Sequence, residues 1–383
     1  MKVLVLGCGN IGSVATKDLA GSLPSAEIVL ADINRSRVEE VASKIGHKNV
    51  SWAQVDAFKH RELVRTLKKF DIALGALPGE IGYRVCKACI EAGVDVADVS
   101  YMPEDVMTLH KDASNAGITI LPDYGMSPGL GSILVGHAAS KLDEVHSVHM
   151  LNGGLPEKPV PPLEYVITWS TKDLIDMYSR KVHIVKQGRP VEVEPMSGLE
   201  QIDFPGVGEL EAFYTDGLRT LLYTLKGVKD MWEKSLRYRG HVEKIALLKA
   251  LGFFDEKPLE IENLKIPPRE VTAKLLEAKL KRKDVPDIVA MLIEVSGAEG
   301  GKKMTYEYHM LDRYDKKRQV TSMARTTAYT ISVAAQLLAQ KAVKEKGVVP
   351  PEKLGMNRQL YDKFMDMMKE REVMIKENRK SVQ

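Results

Sequence analysis

Short apolar-rich runs recur along the first 129 positions, and residues 3–6, 28–31, 50–55, 71–76, 94–99 and 119–121 read as strands. Residues 3–6 are continuously apolar, as expected of a strand buried on both faces of a parallel sheet. Between them the pattern loosens to a helical period, over a stretch reaching Leu19 and over 35–45, 60–69, 81–92 and 103–116. A regular strand–helix alternation of this kind predicts a doubly wound α/β sheet. After Gly129 the texture changes. A helix over 130–141 leads to short, partly alternating, β-branched runs at 145–151, 165–169, 182–185, 191–194 and 210–214. They are separated by Gly-Pro-rich joints at 153–156 and 203–208, and suit an antiparallel sheet with one covered face. Residues 287–297 and 302–312 form a long hairpin around 298–301, and helices over 241–251 and 269–281 cover the sheet. A small-residue helix over 324–341 is expected to pack back on the first region, which makes that region discontinuous. The run 359–380, with Met365, Met367, Met368 and Met374, reads as an amphipathic helix docked on its own chain or a partner subunit.

Within the first region one turn stands out. Gly7, Gly9 and Gly12 have the G-x-G-x-x-G spacing, between the first strand and the first helix, and the second strand ends on Asp32. Gly7 permits the tight turn, Gly9 lets the backbone approach a pyrophosphate, and Gly12 lets the helix pack close to the strand. Asn10 and Ile11 open the helix whose N-terminal amides face the phosphates. Asp32 is placed for the adenosine ribose diol, with Asn34 just beyond it. It favours NAD over NADP by repelling a 2′-phosphate, although Arg35 offers NADP a cation. By position at strand ends, Asp56 belongs near the adenine, Leu77 and Pro78 along the riboses, and Ser100 near the reactive ring. The organisation expected is a Rossmann dinucleotide-binding domain over 1–129, completed by a helix within 322–349. An inserted α+β domain with a mixed or antiparallel sheet, for substrate binding and dimerisation, covers 130–321, and a helical tail covers 350–383.

Charge adds mainly exclusions. The net charge is +3, from heavy and balanced use of both signs. Basic clusters such as 279–283 are bounded by acids (Glu277 and Asp284) and lack interleaved aromatics, so no nucleic-acid partner is expected. Cys86 and Cys89 form C-x-x-C inside a helix with no second pair, and with Cys8 they read as buried reduced thiols rather than a metal or redox site. Four histidines, His137, His146, His149 and His183, lack ligand spacing, so no metal is implied. The chain enters a core strand at once and has no apolar run of transmembrane length. A soluble cytoplasmic protein with no membrane partner is the expectation.

Candidate chemistry falls into two sets. Asp98, Tyr101 and Asp123 sit at strand ends beside the expected cofactor crevice, where an acid, base or orienting group for dehydrogenation is needed. In the second region Arg219 with Thr220, Arg237 and His241, and in the returning helix Arg325, are candidates for gripping substrate, since guanidinium matches carboxylate in a bidentate fork.

Several longer strings carry a likeness. VLVLGCGNIG (3–12), VDVADVSYMPED (94–105), GITILPDYGMSPG (117–129), NGGLP (152–156), TWS (168–170), LEAFYTDGLRTLLYTL (210–225), SLRYRGHVEKI (235–245) and ARTTAY (324–329) follow one another as in the saccharopine dehydrogenase-like family. The chain resembles that family, and within it the lysine 6-dehydrogenase branch. The resemblance implies a Rossmann domain split by a substrate domain, and NAD-dependent oxidation of the side-chain amine carbon of L-lysine. The imine is then hydrolysed to allysine with loss of ammonia. It also implies a Tyr lining the substrate site at Tyr101, the branch's Asp at Asp98, and a carboxylate grip around Arg219. Saccharopine reductases carry an Asp where this chain has Ser127, which counts against glutamate-forming chemistry. The alternatives are an NADP-dependent saccharopine or carboxynorspermidine-type imine reductase, and a non-catalytic NAD(P)-binding protein on the same fold. A small amine or amino-acid substrate and a homodimer complete the expectation.

Overall fold

The computed structural model describes residues 1–282 and 285–382, so Lys283 of the basic cluster and Gln383 of the tail lie outside the described residues. The chain divides into two compact units, Met1–Lys141 with Ala324–Met374, and Leu142–Met323 with Ile375–Gln383.

The first unit holds β1 (Lys2–Leu6), α1 (Asn10–Ser22), β2 (Glu27–Asp32), α2 (Arg35–Ile45), β3 (Val50–Gln54), α3 (His60–Leu67), β4 (Ile72–Gly75), α4 (Gly79–Ala92), β5 (Asp95–Asp98), α5 (His110–Asn115), β6 (Thr119–Leu121) and α6 (Leu130–Lys141). The strands are all parallel, in the order β6-β5-β4-β1-β2-β3. In β1 only Lys2 reaches solvent, as a strand covered on both faces requires. The single helix expected over 103–116 is smaller: a 3₁₀ turn at Val106–Leu109 runs into α5. Asp105 starts that turn by accepting the Met107 N–H through its carboxylate.

The second unit holds β7 (Glu144–Pro156), α7 (Thr171–Ser179), β8 (Val182–Lys186), β9 (Arg189–Val193), β10 (Glu200–Phe204), β11 (Gly208–Tyr214), α8 (Leu221–Thr224), β12 (Asp230–Tyr238), α9 (His241–Ala250), β13 (Leu259–Ile261), β14 (Leu264–Ile266), α10 (Pro268–Leu280), β15 (Asp287–Glu299) and β16 (Lys302–Arg313). Its sheet is mixed, because β12 runs parallel to β7 while the other pairs are antiparallel. The β15–β16 turn is the two-residue Gly300-Gly301, both at positive φ, which matches the right-handed twist of the hairpin. Gly153 keeps β7 flat against β12, since a Cβ there would press on the Leu236 carbonyl. The expected strand at 165–169 is absent. That segment pairs with no strand, and its Ile167 N–H donates to Leu280 O at the end of α10 (2.9 Å).

The chain then returns through α11 (Ser322–Ala339), β17 (Gly347–Val348), α12 (Pro351–Met356) and α13 (Arg358–Glu370), and ends in β18 (Lys376–Val382). β17 adds a seventh parallel strand beside β6. The all-helical tail is corrected here. α13 stops at Glu370, its buried stripe is Tyr361, Phe364 and Met368, and Met374 is exposed. Lys376–Val382 pairs with β16 instead, with Lys380 on Glu307 and Arg379 on Glu299, both at 2.7 Å. Tertiary pairing overrides the helical reading of a charged run that has no strong propensity of its own. Among the described residues no helix is long and apolar enough to cross a membrane.

Candidate functional site

The glycine turn closes the carboxyl end of β1. Gly7 sits at φ +102°, and a Cβ there would collide with the Ala76 carbonyl. A Cβ on Gly12 would collide with the Gly7 carbonyl, so α1 packs against the turn at backbone distance. At Gly9 a Cβ would meet nothing within 4 Å, which leaves the space a pyrophosphate fills. The first bond inside α1 is Ser13 N–H to Gly9 O (3.0 Å), so the amides of Asn10, Ile11 and Gly12 lie ahead of the helical ladder. Asp32 braces this turn. Its two oxygens accept the Cys8 and Asn34 amides, each at 2.9 Å, and each oxygen keeps a second acceptor position for a ribose hydroxyl. These residues fit a pyridine dinucleotide. The Asn34 side chain instead caps α2 by accepting the Arg37 N–H, and Arg35 lies over the Trp52 ring. Burial, reinforced by Asp32, pushes the Cys8 thiol up to about 12. All three cysteines are free and buried.

Other expected contacts separate. Asp56 accepts the Phe58 N–H (3.0 Å) and shapes the turn before α3. Leu77 and Pro78 are half-exposed beside the glycine turn, with Pro78 starting α4. Ser100 is not on the crevice surface. It is buried, and both its N–H (2.8 Å) and its hydroxyl donate to Asp98. Asp98 is sealed as well: among the described residues Oδ2 has no hydrogen-bond partner, and a Cβ on Gly75 would strike it. Burial pushes the Asp98 carboxyl up to about 7 against the pull of the Ser100 bonds, with Asp123 adding to the rise. The Asp98 carbonyl accepts the Tyr124 N–H (3.0 Å), which ties the end of β5 to the loop carrying Asp123. Asp123 is buried at φ +59°, and Tyr101 is half-buried.

In the second unit the sequence candidates change roles. Arg219 stands at φ +51°, 3.7 Å from Asp216, which Arg180 approaches equally. Thr220 is buried at the start of α8. His241 is sealed between two partners. Its Nδ1 faces the Leu163 carbonyl (2.7 Å), which can only accept, so Nδ1 carries the proton and Nε2 accepts from the Tyr178 hydroxyl (2.8 Å). Burial, with Arg237 beside it, pulls His241 down to about 3, so it stays neutral and holds α9 and α7 in place rather than binding substrate. Arg325 lies in the first unit, on α11. Its Nη2 donates to the Arg371 and Glu372 carbonyls (3.1 and 2.9 Å) and pins the end of α13.

Glu233 and Ser235, which sequence reasoning missed, share one face of β12 with the candidate Arg237. Glu233, Ser235 and Arg237 alternate there, all buried. Glu233 accepts from Asn152 Nδ2 (2.8 Å) and from the Thr215 hydroxyl, yet burial pushes it up to about 8. Arg237 lies 4.5 Å over the Tyr165 ring and donates to the Leu236 carbonyl. Its Nε has no hydrogen-bond partner among the described residues. The signal was a charged or polar residue at every second position of 233–237, which as a strand puts a buried ionic row on one face.

Comparison with known proteins follows this division. The "Saccharopine dehydrogenase NADP binding domain" model matches residues 3–121, and the "Saccharopine dehydrogenase C-terminal domain" model matches 125–374. A carboxyaminopropylagmatine dehydrogenase of Synechocystis is 24% identical over 92% of each chain. The bovine mitochondrial alpha-aminoadipic semialdehyde synthase is 26% identical over 66% of this chain, but the match spans only 28% of that longer protein. The apo saccharopine dehydrogenase (L-Glu forming) of Saccharomyces cerevisiae superposes with a TM-score of 0.79 at 18% identity, covering 100% of both chains, and so shares the fold.

Proposed function

The chain belongs to the saccharopine dehydrogenase family, and from that premise we propose that it oxidises the side-chain amine of L-lysine with NAD. The products are allysine, which cyclises to 1-piperideine-6-carboxylate, and ammonia. Binding of a pyridine nucleotide and action on amine or imine carbons come with the family. The NAD assignment rests on Asp32, whose carboxylate is fixed by two amides beside the glycine turn. The observation that carries the amino-acid reading is Arg237, a buried guanidinium that no carboxylate neutralises by direct contact and that suits the substrate α-carboxylate.

A bound NAD supplies the hydride acceptor. The amine must be neutral to release hydride from its carbon, and water must then add to the imine before ammonia leaves. We assign proton transfer to Asp123 with Tyr101. Asp98 is assigned a positioning role, holding Ser100 by its side chain and the Asp123 loop by its carbonyl. The test is reduced-cofactor absorbance and ammonia release with L-lysine and NAD, beside NADPH oxidation with lysine plus 2-oxoglutarate. Turnover only in the second assay overturns the proposal. It would favour an NADP-dependent imine reductase, a reading supported by the names of the family model and of the Synechocystis relative.

A further inference from the structure

A buried guanidinium without a bonded counter-ion is costly, and structures that keep one commonly supply the anion from a ligand. Arg237 is in that position. It contacts the Leu236 carbonyl and the face of the Tyr165 ring, and among the described residues no carboxylate bonds it. The acid on its own face of β12 is Glu233, four residues away with Ser235 between them. Glu233 makes its hydrogen bonds to Asn152 on β7 and Thr215 after β11, and makes none to Arg237. The other titratable groups around the pair are Asp216 after β11, Tyr165, Tyr178 on α7 and His241 on α9. Asp216 sits between Arg180 and Arg219, the Tyr178 hydroxyl donates to His241, and burial keeps that imidazole neutral. Glu233 is thus the residue able to add or withdraw one negative charge close to Arg237.

We propose that Arg237 is a carboxylate subsite with a built-in competitor: a ligand carboxylate and the ionised side chain of Glu233 exclude one another as the counter-charge of this one guanidinium. The inference rests on Arg237 as the substrate grip and adds that binding is linked to the proton on Glu233. When an acid binds, Glu233 keeps or takes up a proton. When Glu233 ionises, the acid is displaced. With the Glu233 carboxyl pushed up to about 8 by burial, exclusion makes a non-titrating acid bind about tenfold more weakly near pH 9 than near pH 7.

The probe is hexanoate, which carries the carboxylate and no amine. Its binding to the full chain is measured by calorimetry across this pH range, in two buffers of different ionisation heat. The expected result is proton uptake on binding near pH 8 and an alkaline loss of about tenfold. Glu233→Gln, which keeps an acceptor for Asn152, should abolish both, and Arg237→Met should abolish binding. Flat pH dependence with no proton uptake in the wild-type chain overturns the competition, whatever the folding of the variants. The same alkaline loss in Glu233→Gln overturns it too. Unaltered hexanoate binding in Arg237→Met, or none in the wild-type chain, removes the subsite itself. Lysine turnover then still decides the enzymatic reading separately.

Discussion

Replacing Asp32 with alanine separates two contributions that the structure combines in one side chain. Its oxygens hold the Cys8 and Asn34 amides at 2.9 Å, and by the same geometry offer one acceptor each to the ribose diol. Hydrogen bonds to a charged group contribute about 1.5–3 kcal/mol each, less what water restores, so losing the diol contacts weakens NAD by about 2–4 kcal/mol. That corresponds to about 30- to 1,000-fold in dissociation constant. The 2′-phosphate of NADP gains instead. A carboxylate about 4 Å from a phosphate charge costs roughly 1–4 kcal/mol at effective dielectrics between water and a protein surface, and the alanine removes that cost. Loosening of the glycine turn affects both cofactors alike and cancels in their ratio. Fluorescence titration with NADH and NADPH should therefore show the preference moving toward NADPH by at least about 100-fold. Equal losses for the two cofactors would refute the assignment of Asp32 to the ribose, and a wild-type chain that prefers NADPH would refute NAD.

Gly136 and Gly355 mark a reciprocal backbone contact between α6 and α12, since a Cβ on either would strike a carbonyl of the other helix. Gly136→Ala should cost about 2–4 kcal/mol in urea unfolding, while an alanine at the open Gly21 in α1 should not destabilise. His241, held neutral down to about 3 from an ordinary 6.5, makes stability fall as pH drops through that window, because the unfolded chain takes up a proton that the native one refuses. The loss approaches roughly 5 kcal/mol at the acid end, and denaturation of His241→Gln between pH 7 and 4 should show a flatter slope. Asp98 has the opposite sign. Its carboxyl keeps a proton to about 7 instead of 3.8, so stability falls as pH rises across that window. Asp98→Asn, which keeps an acceptor for Ser100, should gain up to about 4 kcal/mol above pH 7, and a gain that persists at pH 3 would contradict the burial argument.

The first unit was legible because its inner strands β1, β2 and β4 are covered on both faces, so each is a run of apolar residues bounded by a turn, while the edge strand β3 is partly exposed and mixes Ser51 and Gln54 into its run. The glycine spacing and Asp32 added a chemical reason for one particular turn. The second unit was less so, for physical reasons visible at single positions. β12 keeps Glu233, Ser235 and Arg237 on its covered face, and such a row imitates an exposed strand or a loop motif. The segment 165–169 has the apolar texture of a strand but contributes its backbone to the end of α10. Lys376–Val382 is a strand only because β16 is there to pair with it. Misplaced roles have the same origin. Arg325 and His241 have the chemistry of ligands, yet their partners are backbone carbonyls at Arg371, Glu372 and Leu163 that no local pattern announces. Asp98 and Ser100 were placed correctly at a strand end, but which way a side chain turns there depends on Gly75 and Gly82 leaving room for it inside.

The same glycines bear on how the chemistry is divided along the chain. The insertion Leu142–Met323 interrupts the first unit after α6, and the first unit resumes at Ala324 and closes through β17 and α12. Closure is made by groups that do not involve the insertion: the β17–β6 pairing, the α6–α12 backbone contact, and Arg371 on Asp18 at 2.8 Å. The strand and helices that return after the insertion are thus tied to the same unit as the nucleotide turn. On the proposed reading, substrate choice follows Glu233, Arg237 and their neighbours, while the glycine turn holds the nucleotide. One fold can then carry relatives whose names give different amine substrates. A change of specificity is accordingly to be sought along β12 and the loop after β11 rather than at the strand ends that face the cofactor.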